Sequence, residues 1–260
     1  MRSNVATTVS SELYLSLLKR SLTNTIFGVE PDASEGSTPR YVEAAITHYQ
    51  RGPAVSMLSL VRLDNLQACI TDVVQRGVPG DLVETGVWRG GAVIFMRALL
   101  RVMEVTDRLV WAADSFEGLP EPDPVQHPLE HKSFKSAAMT KYYGHLAVSQ
   151  SEVERNFAAY GMLDDQVRFL KGWFKDTLPT APIGAIAVLR LDGDYYESTR
   201  DALASLYDRV SPGGYVIIDD YGEDMWTECG RAVDEFRELR GITDPLIAVD
   251  KPCSYWRKSQ

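Results

Sequence analysis

Short apolar segments alternate with amphipathic segments along most of this chain, and the alternation predicts strands and helices in turn. Five apolar segments are predicted as strands, at 82–83, 108–114, 167–170, 185–192 and 215–218. Helical spacing of apolar residues predicts helices at 11–20, 41–49, 57–75, 92–102, 149–160, 197–210 and 229–239. The strands are almost continuously apolar, which is typical of parallel strands covered by helices on both faces. The pattern therefore predicts an α/β fold, closed by an antiparallel hairpin at 246–249 and 254–257.

The chain of 260 residues is predicted to form a single domain. Residues 1–76 supply N-terminal helices and a loop, and residues 77–260 supply the core. Residues 28–39 are rich in Gly, Pro, Ser and acids, which predicts a mobile loop, and 211–214 is predicted as a turn. A proline-containing insertion at about 117–148 shows no clear period, and long loops of this kind often act as lids or binding loops.

The predicted helix at 11–20 precedes the core and is amphipathic. Leu13, Leu17 and Leu18 are expected on one of its faces. That face could pack on its own domain or on a second subunit, and the pattern leaves both alternatives open.

A glycine-rich turn follows the first core strand. Leu82 and Val83 lead into Glu84, and Gly86, Gly90 and Gly91 come before an apolar helix. A strand, a glycine-rich turn and a helix bring backbone close to a ligand in α/β folds. The spacing is not G-x-G-x-x-G, and a carboxylate beside the turn disfavours a pyrophosphate. S-adenosylmethionine (SAM), with its ammonium, carboxylate and sulfonium, fits better, and a tight turn without a ligand is the alternative.

Two further positions are candidates for contact with a nucleoside. Asp114 ends the second strand, where a carboxylate suits the two hydroxyls of a ribose, although Asp is also a common helix N-cap. Trp173 follows the third strand, where it could stack on adenine or pack in the core.

Four acids stand at or just beyond the carboxyl ends of two predicted strands, namely Asp192, Asp194, Asp219 and Asp220. Ligands of open α/β sheets bind beyond these ends. Asp192 and Asp219 are expected on adjacent strands about 5 Å apart, where like charges repel unless they are protonated or neutralised. A hard divalent cation such as Mg²⁺ would neutralise them, while helix caps and solvated turns could explain one or two of the acids. The four histidines have no metal-binding spacing, so zinc is not expected.

Composition and charge exclude several classes of function. The net charge of −9 makes nucleic acid and anionic membranes poor partners. Three widely spaced cysteines without a C-x-x-C motif are typical of free thiols in a reducing cytosol. The N-terminus lacks an apolar signal segment, and no window approaches 18 apolar residues. The protein is therefore expected to be cytoplasmic, neither exported nor membrane-spanning.

Several motifs together resemble the macrocin O-methyltransferase family, whose members methylate hydroxyls on the deoxysugars of antibiotics such as macrolides and aminocoumarins. The motifs are ETGVWRGG from Glu84, ADSF from Ala113, GWFKDTLP from Gly172, LDGDYY from Leu191 and GYVIIDDY from Gly214. Each motif alone is weak, but the linked set is specific and extends from about residue 13 to residue 256. The resemblance implies a class I SAM-dependent methyltransferase sheet, which is Rossmann-like.

The resemblance also implies roles for individual residues. Mg²⁺ would be bound by Asp192, Asp219 and Asp220, and Asp194 matches a proposed general base. The contacts to the methionine end of SAM would match Met57, Glu84, Thr85 and Gly86. The nucleoside contacts would match Asp114 and Ser115, with Trp173 as a weaker match near adenine.

The expected function is thus SAM- and Mg²⁺-dependent methylation of a deoxysugar hydroxyl on a glycosylated natural product, by a homo-oligomer. The insertion and residues 32–49 depart most from the family, so the identity of the acceptor stays open. A metal-dependent phenol or catechol methyltransferase is the nearest alternative. A non-catalytic module that binds SAM or a nucleotide is an alternative from another class.

Overall fold

A seven-stranded sheet forms the centre of the molecule. The computed structural model describes residues 9–27, 52–137, 140, 144–222 and 227–259, so the predicted loop at 28–39 and helix at 41–49 lie outside the described residues. The strands are β1 (Asp81–Thr85), β2 (Val110–Asp114), β3 (Val167–Lys171), β4 (Ile186–Leu191), β5 (Val210–Ile218), β6 (Ile247–Ala248) and β7 (Ser254–Arg257).

The order of the strands is β3-β2-β1-β4-β5-β7-β6. The first five are parallel to one another, whereas β7 pairs antiparallel with both β5 and β6. The predicted class I sheet with its terminal antiparallel hairpin is thereby confirmed. The order reverses between β1 and β4, and ligands of open α/β sheets bind beyond the carboxyl ends of the strands at such a reversal.

Helices cover both faces of the sheet. The helices are α1 (Val9–Leu22), α2 (Leu60–Gln75), α3 (Gly91–Val102), α4 (Pro128–Phe134), α5 (Gln150–Ala159), α6 (Phe174–Thr177), α7 (Tyr196–Leu206) and α8 (Thr227–Leu239). One buried cluster joins α1, α2, α3 and α5 to one face, and a second joins α7 and α8 to the other. All six residues of β4 are buried, which explains why the sequence shows continuous apolar strands.

The first helix packs on its own domain, and of the three leucines expected on one face only Leu18 takes part. Leu15, Leu18 and Leu22 are buried against the core. Leu13 and Leu17 are 68% and 59% exposed, so they do not share with Leu18 the face that packs on the core. The direction of the core relative to the helix decides which apolar face is covered, and an isolated helix does not encode that direction.

The predicted turn at 211–214 is part of β5 instead. Gly213 donates a hydrogen bond to the Lys258 carbonyl at 2.6 Å, and the Lys258 amide donates to Gly214 at 2.9 Å. The register with β4 shifts between Ile186 and Val188, which accommodates the Pro-Gly-Gly segment as an irregularity. Pairing with the C-terminal strand thus overrides the local turn signal.

Two further boundaries differ from the prediction. Helix α2 begins at Leu60 rather than residue 57, because the Ser59 hydroxyl accepts the Arg62 amide as an N-cap. The insertion contains the short helix α4, whose buried contacts with α7 are described below.

Candidate functional site

The carboxyl ends of β1 and β4 approach each other closely at Gly86. A β-carbon on Gly86 would lie 1.7 Å from the Asp192 carbonyl oxygen, and its φ of +84° is a conformation that glycine tolerates best. The Gly86 amide donates to the Ala113 carbonyl at 2.8 Å, and the Asp192 amide donates to the Thr85 carbonyl at 2.9 Å. Only glycine fits here, and it joins the ends of three strands at the reversal of the sheet.

Asp114 fixes the glycine-rich turn from the end of β2. Its Oδ2 accepts the Val87 amide at 2.7 Å, and its Oδ1 accepts the Phe116 amide at 2.6 Å. Burial raises the pKa of Asp114, while the amide hydrogen bonds act in the opposite direction. The Ser115 hydroxyl also donates to Oδ1, at 3.4 Å, so Asp114 caps two turns rather than a helix.

A pocket of about 470 Å³ opens beside this turn. Of the predicted site residues, five line it, namely Gly86, Asp114, Ser115, Trp173 and Asp192. Its remaining lining comes from the start of the insertion, from α6 and from the region around α7, namely Gly118, Leu119, Pro120, Glu121, Phe174, Lys175, Gly193, Glu197, Ser198, Arg200 and Asp201. The predicted nucleoside contacts thus share one cavity, and Trp173 faces it rather than the core.

The other predicted neighbours of the methionine end lie outside this lining in the described structure. Met57 packs against Ala54, while Glu84 and Thr85 are buried at the end of β1. Glu84 is opposite Arg190 in the β1–β4 register, and the Arg190 guanidinium donates to its carboxylate. Burial raises the pKa of Glu84 to about 8, although the charge of Arg190 acts in the opposite direction.

Arg190 also reaches the acids that follow β4 and β5. Its Nη1 donates to Asp192 Oδ2 at 2.9 Å, and its Nη2 donates to Asp219 Oδ1 at 2.5 Å. The second oxygen of Asp219 accepts Arg62 Nη1 at 2.6 Å. Burial disfavours the charged form of Asp219, but Arg190 and Arg62 outweigh it and lower its pKa. Asp219 thus lies between two guanidinium groups that favour its ionised form.

Three of the acids, including Asp192, place carboxylate oxygens close to one another. Asp192, Asp194 and Asp220 each offer an oxygen atom, and the three atoms lie within 4.8 Å of one another. Burial and the charge of Asp219 raise the pKa of Asp192 to about 6. Burial raises the pKa of Asp220 well above its usual range, and the neighbouring carboxylates, that of Asp194 first, raise it further. Burial and the crowding of like charges thus both disfavour the ionised form of these two carboxyl groups.

The charge balance of the whole cluster suits a cation. Within the described residues, the guanidinium groups of Arg62 and Arg190 pair with Glu84, Asp192, Asp219 and Asp250, while Asp194 and Asp220 lie in the cluster with Asp192, so six carboxyl groups accompany two guanidinium groups. The converging oxygens of Asp192, Asp194 and Asp220 are the type of ligand that Mg²⁺ prefers, and the cluster borders the pocket through Asp192. The residues therefore fit a hard divalent cation chemically.

Sequence reasoning missed the two arginines. Arg62 is on α2, 157 residues from its partner Asp219, and also binds Asp250 at 2.8 Å. The sequence did contain an indication of the role of Arg190, because it is the sole charged side chain between Ile186 and Leu191. A charge in a fully buried strand requires ionic partners, and the acids at the neighbouring strand ends are the available ones.

Comparison with known proteins identifies one matching family model and several similar enzymes of that kind. A family model described as macrocin-O-methyltransferase (TylF) matches residues 50–258. The chain is 50% identical over 254 residues to the 8-demethyl-8-(2,3-dimethoxy-alpha-L-rhamnosyl)-tetracenomycin-C 4'-O-methyltransferase of Streptomyces olivaceus, a match that covers 95% of this chain and 92% of that protein. It is 48% identical over 259 residues to the demethyldecarbamoylnovobiocin O-methyltransferase of Streptomyces niveus, with 98% and 96% covered.

A solved structure extends the likeness to three dimensions. The O-methyltransferase NovP superposes with a TM-score of 0.81 at 48% sequence identity. The match covers 96% of this chain and 99% of that one. The likeness therefore extends over nearly the whole of both chains.

Proposed function

The chain belongs to the macrocin O-methyltransferase family, and from this membership we infer that its acceptor is a deoxysugar hydroxyl on a glycosylated natural product, as in macrolide- or aminocoumarin-type antibiotic biosynthesis. It is an O-methyltransferase that uses SAM as the methyl donor. The observation that carries the proposal is the position of Asp192, which borders the 470 Å³ pocket and also belongs to the acid cluster. The name of the Streptomyces olivaceus relative supports a sugar acceptor, because it describes a rhamnosyl substrate.

SAM is proposed to bind in this pocket. Asp114 and Ser115 would hold the ribose, Trp173 would stack on adenine, and the backbone at Gly86 would lie against the methionine end. Met57, Glu84 and Thr85 stay the predicted neighbours of the amino and carboxylate groups. Glu84 Oε2 is buried without a hydrogen-bond partner in the described structure, so it offers an acceptor for an ammonium group.

Mg²⁺ is proposed to bind to Asp192, Asp219 and Asp220. Asp192 and Asp220 belong to the cluster of converging oxygens. Both oxygens of Asp219 accept guanidinium hydrogen bonds, but each has a second lone pair with which it can also bind a cation. When bound, the ion would orient neighbouring sugar hydroxyls and lower the pKa of the one that is methylated.

Asp194 is proposed as the general base. Its backbone amide donates to Asp220 Oδ2 at 3.2 Å, which holds the residue beside the acids that would bind the cation. In the transfer, the acceptor oxygen attacks the methyl carbon and the carbon–sulfur bond breaks. S-adenosylhomocysteine and a methyl ether result, and the hydroxyl proton passes to the Asp194 carboxylate. A pocket that aligns oxygen, methyl and sulfur supplies the in-line geometry.

A homo-oligomer is proposed from the exposed face of α1. Leu13 and Leu17 are mostly exposed there, together with Val9 at 80% and Tyr14 at 40%. Apolar side chains grouped on one surface favour contact with another protein surface. Light scattering at micromolar concentration should show a dimer or larger, and L13E together with L17E should dissociate it. A monomeric wild-type protein would contradict the proposal.

A cytoplasmic location is proposed from the thiols. Cys69, Cys229 and Cys253 are all buried and unpaired, which is typical of proteins from a reducing compartment. No helix within the described segments is long and apolar enough to cross a membrane.

The decisive experiment is a screen of acceptors by mass spectrometry. Purified protein with SAM and Mg²⁺ is incubated with desmethyl glycosylated antibiotics, with their aglycones and with catechols. We expect a gain of about 14 Da, one methyl in place of hydrogen, on the sugar of a glycoside only. Methylation of catechol but not of any glycoside would instead establish the phenol methyltransferase alternative. SAM binding without turnover of any acceptor would favour a non-catalytic module.

A further inference from the structure

We propose that Glu130, in the insertion between β2 and β3, is a positioning residue that fixes the start of α7 and thereby places Asp194 for proton transfer. The inference rests on the proposed role of Asp194. It assigns a function to a buried contact between the insertion and the loop that carries two of the clustered acids.

Glu130 caps a helix that lies 66 residues away in the sequence. Its Oε1 accepts the backbone amide of Tyr196, the first residue of α7, at 2.8 Å. The N-cap residue Tyr195 makes no capping bond with its own side chain. A carboxylate at a helix N-terminus satisfies an otherwise unpaired amide and interacts favourably with the helix dipole. The insertion therefore supplies the cap that the local sequence lacks.

The burial of the Glu130 carboxylate is unusual for a residue that serves only to fill space. Glu130 is only 5% exposed, and its Oε2 has no hydrogen-bond partner in the described structure. Burying an incompletely paired carboxylate is unfavourable, and an apolar residue of similar size would pack there at lower cost. Among the described residues, the side chain makes one hydrogen bond, with the Tyr196 amide, and this interaction distinguishes glutamate from such a residue.

Neighbouring contacts hold the same point of α7. The ring of His127, one turn before Glu130, stacks on the Tyr196 ring with centroids 4.7 Å apart. The Arg231 guanidinium lies 4.6 Å from the same ring centroid, and the Tyr196 hydroxyl donates to Glu235 at 2.5 Å. The insertion and α8 thus both contact the Tyr196 side chain.

The position of Asp194 depends on how the start of α7 is held. It lies two residues before Tyr196 and has a φ of +58°, a left-handed conformation that is unfavourable for a residue other than glycine. On its N-terminal side, the loop is fixed where the Asp192 amide donates to β1. On its C-terminal side, the Glu130–Tyr196 bond fixes the loop at the start of α7. Such a conformation persists only where the surroundings over-determine it.

The experiment compares E130A and E130Q with the wild type, using K132A, an exposed change on the same helix, as the control. The glutamine oxygen can still accept the Tyr196 amide, whereas alanine cannot. We expect E130A to lower kcat by about 10- to 100-fold, the size of effect caused by misplacing a reacting group, with KM for SAM almost unchanged. E130Q should restore most of kcat, and K132A should match the wild type.

Two measurements separate positioning from a general loss of structure. Amide hydrogen exchange of the 192–199 segment should rise in E130A, while exchange in β1 and β4 stays at the wild-type level. The double variant E130A/D194N should be no slower than D194N alone, because a residue that acts through Asp194 has nothing left to position.

The outcomes distinguish this inference from the proposed function. Wild-type kcat and exchange in E130A, or additive losses in the double variant, would overturn the role of Glu130 while leaving Asp194 as the base. A fully active D194N enzyme would overturn the role of Asp194 itself and, with it, this route of action. Equal losses in E130A and E130Q would show that the amide contact is not what matters, which also overturns the inference.

Discussion

The carbonyl oxygen of Asp192 lies against Gly86 so closely that a single added methyl group would come within 1.7 Å of it. This contact joins the two strands at which the sheet order reverses. The glycine-rich turn next to the cofactor pocket and the loop that carries the clustered acids are therefore positioned by one another.

The first prediction tests this contact. G86A should strongly weaken SAM binding or prevent folding, because the backbone of Asp192 cannot move aside as a flexible side chain would. Calorimetric titration with SAM and thermal unfolding would measure the two effects. G184A is the matched control, since a β-carbon there meets nothing within 4 Å. Equal binding by both variants would contradict the structural account of the turn.

The second prediction concerns Arg190. R190M should destabilise the protein by about 3–5 kcal/mol, the usual result of removing one partner of a buried ion pair. The substitution leaves Glu84 and Asp219 without the Arg190 guanidinium between them. Urea unfolding would give the change in free energy, with the exposed R155M as the control. A loss below about 1 kcal/mol, the level of a surface ion pair, would show that the network is energetically unimportant.

The third prediction concerns the ribose. D114A should weaken SAM binding by about 1–3 kcal/mol, the typical cost of leaving polar partners unsatisfied. Part of this loss would come from the amides of Val87 and Phe116, which Asp114 also binds. D114N retains one acceptor oxygen and should bind with intermediate affinity. Calorimetry showing unchanged affinity in both variants would restrict Asp114 to capping the turns.

The fourth prediction separates metal ligand from base. EDTA should abolish turnover, and Mg²⁺ should restore it. D192N should lose most activity through weaker metal binding, and raised Mg²⁺ should recover part of it. D194N should instead slow the chemical step by roughly 10²–10⁴-fold, the usual contribution of a general base. Its metal affinity should barely change, and added Mg²⁺ should not help.

Single-turnover rates and calorimetric titration with Mg²⁺ would measure the two effects independently. A near-normal single-turnover rate in D194N would remove Asp194 as the base. Loss of Mg²⁺ binding in D194N would make it a ligand, as its place among the converging oxygens permits. Full activity of enzyme freed of metal would refute the magnesium proposal.

The fifth prediction is a pH dependence of stability. Burial raises the pKa of Glu130 to about 7, while the Tyr196 amide opposes the shift, Glu228 and Glu197 add to it, and Arg231 opposes it. His127, the N-cap residue of α4, stacks on the Tyr196 ring beside these groups and is present in both the wild type and E130Q. Because the folded-state pKa lies above the unfolded one, this contribution is fully present below about pH 4.5 and is lost as pH rises through 7.

The free energy of unfolding of the wild type should therefore fall between pH 5 and pH 8 relative to that of E130Q, which has no titrating group there. Chemical denaturation at several pH values would measure the difference. Parallel pH profiles for the two proteins would mean that Glu130 does not titrate in this range.

The sequence alone determined the elements and the local chemistry. Apolar periodicity located the core strands, because a strand that is buried on both faces has few polar alternatives. The glycine-rich turn after Glu84 and the acids after β4 and β5 were visible as short motifs, since local spacing records what a turn or strand end requires. From these features, an α/β sheet and the candidate residues Asp114, Asp192 and Asp220 could be predicted, and the resemblance to the macrocin O-methyltransferase family implied that the sheet is that of a methyltransferase.

Which charges meet depends on the tertiary structure. Arg190 and Glu84 are 106 residues apart, and their pairing follows from the register of β1 against β4, which no local pattern encodes. For the same reason, the sequence did not reveal the hydrogen bonds of Arg62 with Asp219 and of Glu130 with the Tyr196 amide. It also left open which apolar face of α1 is covered. Each of these depends on the placement of distant segments in the folded core, where burial makes an unpaired charge costly and so selects its partner.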